Sequence, residues 1–148
     1  MENENLRLSH QGCFRLYTAA RLLIQAYQPW FAKLGITYTQ YLVLMVLWEQ
    51  DAQPLNAISR RLYLESNTLT PLIKRMEVMK MVTRKKNKDD ARQTIVTLTE
   101  RGRDLQQQTA TLPDCITSLL CQRGMTSEEF ASIIPTLDHL IEILSKQQ

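Results

Sequence analysis

The sequence contains little glycine and little proline, with four glycines and five prolines in 148 residues. A fold built from many short strands needs frequent turns, and turns depend on these two residue types. Their scarcity therefore favours long helices over a turn-rich β architecture. The length suits a single compact domain with its own hydrophobic core. The hydrophobic and charged fractions, 44% and 22%, are those of an ordinary globular chain.

Cysteine and long apolar runs are also scarce. The three cysteines, Cys13, Cys115 and Cys121, are too few, and odd in number, for a secreted disulfide framework. The longest apolar run, "YLVLMVLW" at 41–48, is too short to cross a bilayer, and residues 1–10 lack the apolar core of a signal peptide. We therefore expect a cytoplasmic protein without a membrane partner. No metal-ligand spacing, phosphate-binding glycine loop or paired-carboxylate site occurs, so we expect no metal and no cofactor.

Charge is unevenly distributed along the chain, although the net charge is only +3. Residues 60–103 carry twelve Lys and Arg against five Asp and Glu, a balance of +7. Residues 1–59 balance to 0 and residues 104–148 to −4. A basic middle region favours a localised surface that binds a polyanion. Charge alone is explained equally well by a solvated charged face.

Hydrophobic periodicity predicts about six helices. Their ranges are about 6–33, 39–50, 55–62, a fourth within 64–82, about 100–121, and a sixth that ends near residue 145. Pro29 is expected to bend or interrupt the first helix, because proline removes a backbone donor. The second is nearly all apolar and should be buried.

Capping residues and one proline refine these helices. Ser66 is the predicted N-cap of the fourth helix and Thr99 that of the fifth. Thr126 and Glu129 have the spacing of a capping box before the sixth helix. Pro135 inside the sixth helix predicts a kink.

The hydrophobic period changes at 81–99, where two β-branched stretches flank a charged tip, as in a β-hairpin. A helix, a short helix, a helix with one polar face and a basic hairpin, in that order, predict a winged helix-turn-helix in a mainly α fold. The candidate DNA-binding residues are Asn67, Thr68, Thr70, Lys74 and Arg75 on the fourth helix, and Arg84, Lys85, Lys86, Lys88 and Arg92 in the hairpin. Each taken singly is more simply a solvated surface group, but the order and the charge together favour DNA binding.

Several segments resemble one family. The stretch "TLTPLIKRMEVMKMVTRKKNKDDARQTIVTLTERG" resembles the recognition helix and wing of the MarR family of bacterial transcription regulators. The stretches "CFRLYTAAR" and "YQPWFAKLGITYTQYLVLMVLWE" resemble its organic hydroperoxide resistance regulator (OhrR) branch. The resemblance implies a homodimeric repressor, a single domain over 1–148, that binds palindromic double-stranded DNA. In it, 1–35 and 100–148 would form the dimerisation helices and 36–99 the winged helix-turn-helix.

Two wing features bear on this resemblance. The family's Asp-x-Arg falls on Asp90 and Arg92, and the resemblance implies that the arginine enters the minor groove. Ala91 stands where the family often has an acid, and Lys80 where the recognition helix often ends in glycine. Lys80 therefore removes the usual left-handed glycine cap.

A redox sensor is the second implication. A lone cysteine on an apolar helix face is usually inert. In the hydroperoxide branch, however, the cysteine at the place of Cys13 is the peroxide-reactive thiol, and two tyrosines that bond to it map to Tyr27 and Tyr38. On one straight helix Tyr27 would lie about 21 Å from Cys13, so a shared site must span two subunits. Tyr17, one turn beyond Cys13, is a local partner candidate.

A second cysteine in some members resolves the oxidised thiol into an intersubunit disulfide. Cys121 is the better match to that cysteine and Cys115 the lesser one. Without a resolving cysteine, a small cellular thiol would cap Cys13.

Two other functions remain open from the sequence. The first is a MarR-type repressor induced by a small aromatic ligand in the dimer crevice. The second is a thiol peroxidase enzyme, which the thiol permits but the basic hairpin and the helical pattern disfavour. We expect a regulator that is not an enzyme, with an organic hydroperoxide as its oxidant.

Overall fold

The computed structural model describes residues 3–146. Within them lie eight α-helices and three short strands, in the order α1 (Gly12–Ala26), α2 (Gln28–Leu34), α3 (Tyr38–Glu49), β1 (Gln53–Pro54), α4 (Leu55–Leu62), α5 (Ser66–Val78), β2 (Val82–Lys86), β3 (Thr94–Leu98), α6 (Glu100–Thr109), α7 (Leu112–Gln122) and α8 (Ser127–Ser145). The mainly helical fold with a small hairpin wing is confirmed. The predicted first and fifth helices are each divided in two.

The chain forms two compact units, Met1–Tyr38 and Thr39–Gln148. The first contains two short 3-10 turns followed by α1 and α2. The break between these helices falls at Tyr27, and Pro29 stands in the first turn of α2, where a missing N–H costs least. The predicted interruption at Pro29 is therefore confirmed. Gly35 ends α2 with φ 67°, the left-handed conformation that suits glycine.

The second unit contains a three-stranded antiparallel sheet in the order β1-β3-β2. Strands β2 and β3 form the wing, with Val82 opposite Leu98 and Lys86 opposite Thr94. The two-residue strand β1 pairs with the other edge of β3. The sheet therefore joins the wing to the segment between α3 and α4.

The core of the second unit lies between α3, α4, α5 and the sheet. Its innermost side chains, each at most 1% exposed, are Val43, Leu44, Leu47, Ile58, Leu69, Ile73, Met76, Met81, Val82 and Val96. The predicted burial of the second helix is confirmed, and the apolar stripe of α5 faces inward as its spacing required. In residues 3–146 no single helix is long and apolar enough to cross a membrane. In the same residues, α2 and α3 taken together reach that length and hydropathy.

The predicted helix caps have different outcomes. Thr99 caps α6, since its hydroxyl accepts from the Gly102 N–H at 3.1 Å. The capping box of Thr126 and Glu129 is also confirmed, with both reciprocal hydrogen bonds present. The Ser66 cap was wrong, because Ser66 is already the first helical residue and the N-cap position belongs to Glu65.

Two prolines in the C-terminal helices behave differently. Pro113 lies in the first turn of α7 and follows the break that separates α6 from α7. The single helix predicted over 100–121 was wrong for this reason. Helix α8 continues through Pro135 from Ser127 to Ser145.

The first turn of α6 is fixed to the rest of the second unit, at a place we name the α6 junction. Gly102 is buried, and a Cβ added to it would lie 2.2 Å from the Met81 carbonyl oxygen. The Trp48 Nε1 donates to the Gly102 carbonyl at 2.9 Å. The Thr99 hydroxyl donates to the Lys80 carbonyl oxygen. Close backbone approach and hydrogen bonds thus join α6 to α3 and to the segment between α5 and β2.

The first and last helices bury none of their side chains in this chain. Large apolar side chains stay exposed on both, including Leu16 at 43% and Leu22 at 51% on α1, and Ile134 at 48% and Ile141 at 45% on α8. Large apolar side chains that stay exposed in this number on two helices are characteristic of interaction surfaces.

Gly102→Ala should destabilise the fold by about 1–3 kcal/mol, because the new methyl group has no space beside Met81. Urea unfolding measures this change. Gly12→Ala is the matched control, since nothing lies within 4 Å of the Cβ it would add. Equal stability of the two variants would contradict the close approach at the α6 junction.

Candidate functional site

The polar face of α5 brings together most of the predicted DNA-binding residues of that helix. Asn67, Thr68, Lys74 and Arg75 are exposed. Thr70 is half-buried, and its hydroxyl donates to the Ser66 carbonyl at 2.7 Å. The hydroxyl proton of Thr70 is therefore engaged within the helix, while the other four side chains point to solvent.

The wing carries four exposed cations and one half-buried cation. Lys85, Lys86, Lys88 and Arg92 are exposed and lie in the hairpin or at its tip. Arg84 instead points toward α5.

The partner of Arg84 is Glu77 on α5. The Glu77 carboxylate accepts from the Arg84 Nε at 2.9 Å and from the Arg84 backbone N–H at 3.0 Å. This hydrogen bond from the Arg84 side chain holds the pKa of Glu77 below its ordinary value of 4.5. The pair ties the wing to α5. Sequence reasoning missed Glu77, because it lies seven residues before its partner and only the turn between helix and strand makes them neighbours.

The wing tip orients Arg92. Asp90 Oδ1 accepts from the Arg92 backbone N–H at 3.1 Å and from its Nε at 3.2 Å. The Arg92 side chain is 92% exposed, so Asp90 holds one edge of the guanidinium while the remaining N–H groups face solvent. An exposed arginine fixed at a hairpin tip can enter a groove with little loss of conformational entropy.

The turn from α5 into the wing is built on a lysine in a strained conformation. Lys80 has φ 59°, in the left-handed region. The Met81 N–H returns to the Met76 carbonyl at 2.9 Å, which closes the end of the helix. The chain thus adopts at Lys80 the conformation that the resembling family usually builds with glycine.

Cys13 lies in the first turn of α1 and is exposed. Tyr17, four residues later, is 67% exposed on the same face. An accessible sulfur at such a position is open to an oxidant.

Tyr27 and Tyr38 belong to one aromatic cluster. Their ring centroids are 5.3 Å apart, and Phe31 stacks on Tyr27 at the same distance and lies 6.2 Å from Tyr38. Burial raises the pKa of Tyr38, so the phenol stays protonated and able to donate. Tyr27 follows the end of α1, about 21 Å along the helix from Cys13. Phe31 was not singled out from the sequence, although its i+4 spacing from Tyr27 was visible.

The other two cysteines lie on α7. Cys121 is exposed in the last turn, with its Sγ 3.6 Å from the Ser127 hydroxyl, and Cys115 is half-buried. All three thiols are free. In residues 3–146 no group of three or more His, Cys, Asp or Glu side chains is arranged to hold a metal ion.

Comparison with known proteins gives consistent results. Residues 25–109 match the family model described as transcriptional regulator SarA/Rot. The chain is 39% identical over 139 residues to the organic hydroperoxide resistance transcriptional regulator of Bacillus subtilis (strain 168), covering 93% of this chain and 95% of that relative.

Solved structures agree with the family match. Reduced AbfR bound to DNA is 42% identical, with a TM-score of 0.76, covering 97% of this chain and 99% of that one. Disulfide-formed AbfR is 44% identical, with a TM-score of 0.63, covering 94% and 95%. AbfR is a protein of Staphylococcus epidermidis. The related proteins are transcription regulators and not enzymes.

Acid should remove the contribution of the Glu77–Arg84 pair to stability. Because the pKa of Glu77 is lowered in the fold, that contribution is complete above about pH 4.5 and is lost as the pH falls through the lower folded value. The effect should stay below about 1 kcal/mol, since both side chains are partly exposed. Urea unfolding between pH 7 and pH 3 should show a smaller pH slope for Glu77→Gln than for wild type. An equal slope for Glu77→Gln and wild type would contradict the assignment.

Proposed function

This chain belongs to the MarR family of winged helix-turn-helix transcription regulators, and from that premise we propose that it is a repressor that senses organic hydroperoxides through Cys13. The observation that carries the proposal is an exposed Cys13 in the first turn of α1, in a chain that also has a DNA-reading helix and a basic wing. In this account the reduced protein binds operator DNA and the oxidised protein releases it. A regulator of chromosomal DNA would act in the bacterial cytoplasm.

The active form in this proposal is a homodimer. The exposed apolar faces of α1 and α8 support it, because neither helix buries a side chain within one chain. Residues 1–35 and 100–148 would form the dimer, and 36–99 would read DNA. Two reading units related by a twofold axis would meet two half-sites of a palindromic double-stranded operator.

The proposed sensor draws on both subunits. The distance of about 21 Å along α1 keeps Cys13 away from Tyr27 of its own chain. The Tyr27 and Tyr38 cluster of the second subunit would then supply the phenol donors to the Cys13 thiolate. Tyr17 would remain a neighbour from the same helix.

The proposed chemistry has two balanced steps. The Cys13 thiolate attacks the terminal oxygen of the hydroperoxide. An S–O bond forms, the O–O bond breaks, and the alkoxide leaves as an alcohol after taking a proton. Sulfur is oxidised to the sulfenic acid and the peroxide is reduced. In the second step the Cys121 thiol of the other subunit attacks that sulfur, a disulfide forms and water leaves.

In the proposed mechanism, the α6 junction transmits the structural change caused by Cys13 oxidation to α5 and the wing. The hydroxyl of Thr99, the N-cap of α6, donates to the Lys80 carbonyl just after α5, and α6 continues into the proposed dimer region. A shift of the dimer helices would therefore move α5 and the wing together. The spacing of the two reading units would change, and the match to successive major grooves would be lost.

The aromatic cluster of Tyr27, Phe31 and Tyr38 favours a second candidate, a repressor induced by a small aromatic ligand. Titration of the DNA complex with salicylate and with cumene hydroperoxide separates the two. Release by salicylate alone supports the ligand mechanism, and release by the hydroperoxide alone supports the thiol mechanism.

Cys13→Ser should bind operator DNA like wild type and stay bound after treatment with cumene hydroperoxide. Wild type should lose affinity by about tenfold or more, equivalent to ~1.4 kcal/mol. Fluorescence anisotropy with a labelled duplex measures both. The control Cys115→Ser should respond like wild type. Peroxide-driven release of the Cys13→Ser protein would refute the sensing role.

Cys121→Ser should abolish the peroxide-induced covalent dimer on a non-reducing gel, because it removes the thiol that attacks the sulfenic acid. Cys115→Ser should leave that dimer band unchanged. An undiminished band from Cys121→Ser would exclude Cys121 as the resolving cysteine. When the Cys121→Ser protein is treated with peroxide and a small thiol, mass spectrometry should show a mixed disulfide between that thiol and Cys13.

A further inference from the structure

The face of α5 that points to solvent carries two apolar side chains among its polar ones. Val78 is 82% exposed, more than any other large hydrophobic side chain in residues 3–146. Pro71 is also exposed and lies inside the same helix. A single exposed apolar residue is ordinary. Here, however, two lie on the one face of the helix that is proposed to contact bases.

Helix geometry places both at the centre of that face. With 3.6 residues per turn, Val78 lies about 20° and Pro71 about 40° around the axis from Asn67. Lys74 lies about 20° to the other side of Asn67, between the two along the axis. The axial distance between Pro71 and Val78 is about 10 Å, at 1.5 Å per residue.

We propose that Pro71 and Val78 read thymine methyl groups in the major groove. The inference rests on the proposed DNA-binding function and adds a base preference to it. Thymine is the base that presents a methyl group in the major groove, and apolar side chains are its usual contacts. Because successive base pairs are 3.4 Å apart, 10 Å corresponds to about three base steps.

The positive charges around this apolar pair indicate that DNA is the molecule that binds there. Lys74 and Arg75 are exposed beside it on α5, and Lys85 and Lys86 are exposed on the adjoining strand. Such cations bind the phosphates of a nucleic acid. The apolar pair and Lys74 therefore share one face of α5, and a polyanion that presents methyl groups in its major groove fits this surface. The preferred half-site contains two thymines about three steps apart.

Thymine-to-uracil substitution in DNA tests the proposal, since uracil differs from thymine only by the missing methyl. A duplex is first selected from a random library with reduced wild-type protein, and each thymine is then replaced singly by deoxyuridine. Wild-type affinity should fall about fourfold at two positions of each half-site, the effect expected for one apolar carbon left in water. Affinities are measured by fluorescence anisotropy.

The variants assign each methyl group. Val78→Ala should lose the uracil effect at one of the two positions, and Pro71→Ala at the other. Both lie on the surface, and Pro71→Ala also restores a helical N–H, so both should fold. The matched control Lys74→Ala should weaken all duplexes alike and keep both uracil effects.

Three results would overturn the proposal or its premise. Equal wild-type affinity for the thymine and uracil duplexes excludes methyl readout by the protein. A full uracil effect at both positions in Val78→Ala and in Pro71→Ala excludes these two residues as the readers. Failure of the reduced protein to select any duplex refutes the DNA-binding function and the inference with it.

Discussion

The close approach between Gly102 and the Met81 carbonyl oxygen is the constraint on which the packing of α6 against the proposed DNA-binding unit, residues 36–99, depends. A side chain at position 102 would meet that oxygen at 2.2 Å, so only glycine lets α6 begin there. The Trp48 indole then reaches the Gly102 carbonyl from α3. This one backbone contact therefore sets the direction in which α6 leaves residues 36–99. Every larger residue would push that helix outward.

Further contacts connect the wing to α5 within this proposed DNA-binding unit. The Glu77–Arg84 pair fastens the wing to α5, and Lys80 accepts a left-handed backbone so that the chain can turn from one to the other. Lys74 and Arg92 are then held on parts of one packed unit. A dimer region that switches between two stable arrangements would move such a unit as a whole. A loosely attached wing would not follow that movement. In the proposed mechanism, oxidation at Cys13 supplies that movement.

The sequence predicted the features that depend on local chemistry. The inward stripe of α5, the Thr99 cap, the capping box at Thr126 and the interruption at Pro29 follow from spacing and backbone donors, and each was confirmed. The prediction of a continuous helix over 100–121 was wrong, because Pro113 lacks the backbone N–H that an uninterrupted helix needs at that position. Pairings across a turn, such as that of Arg84 with Glu77, could not be predicted from the sequence. A count of charges does not show which cations already have an ion-pair partner. The joint placement of Tyr27 and Tyr38 came from the family resemblance, while the separation of Tyr27 from Cys13 came from helix rise alone.

In the proposed mechanism, the oxidation state of the Cys13 sulfur decides whether the protein binds DNA. The most direct measurement titrates the DNA-bound protein with cumene hydroperoxide and follows, in the same samples, the mass of the Cys13 peptide and the fraction of DNA bound. The two curves are expected to coincide, with release in proportion to modification of Cys13. Release that precedes modification of Cys13, or full modification with DNA still bound, would contradict it.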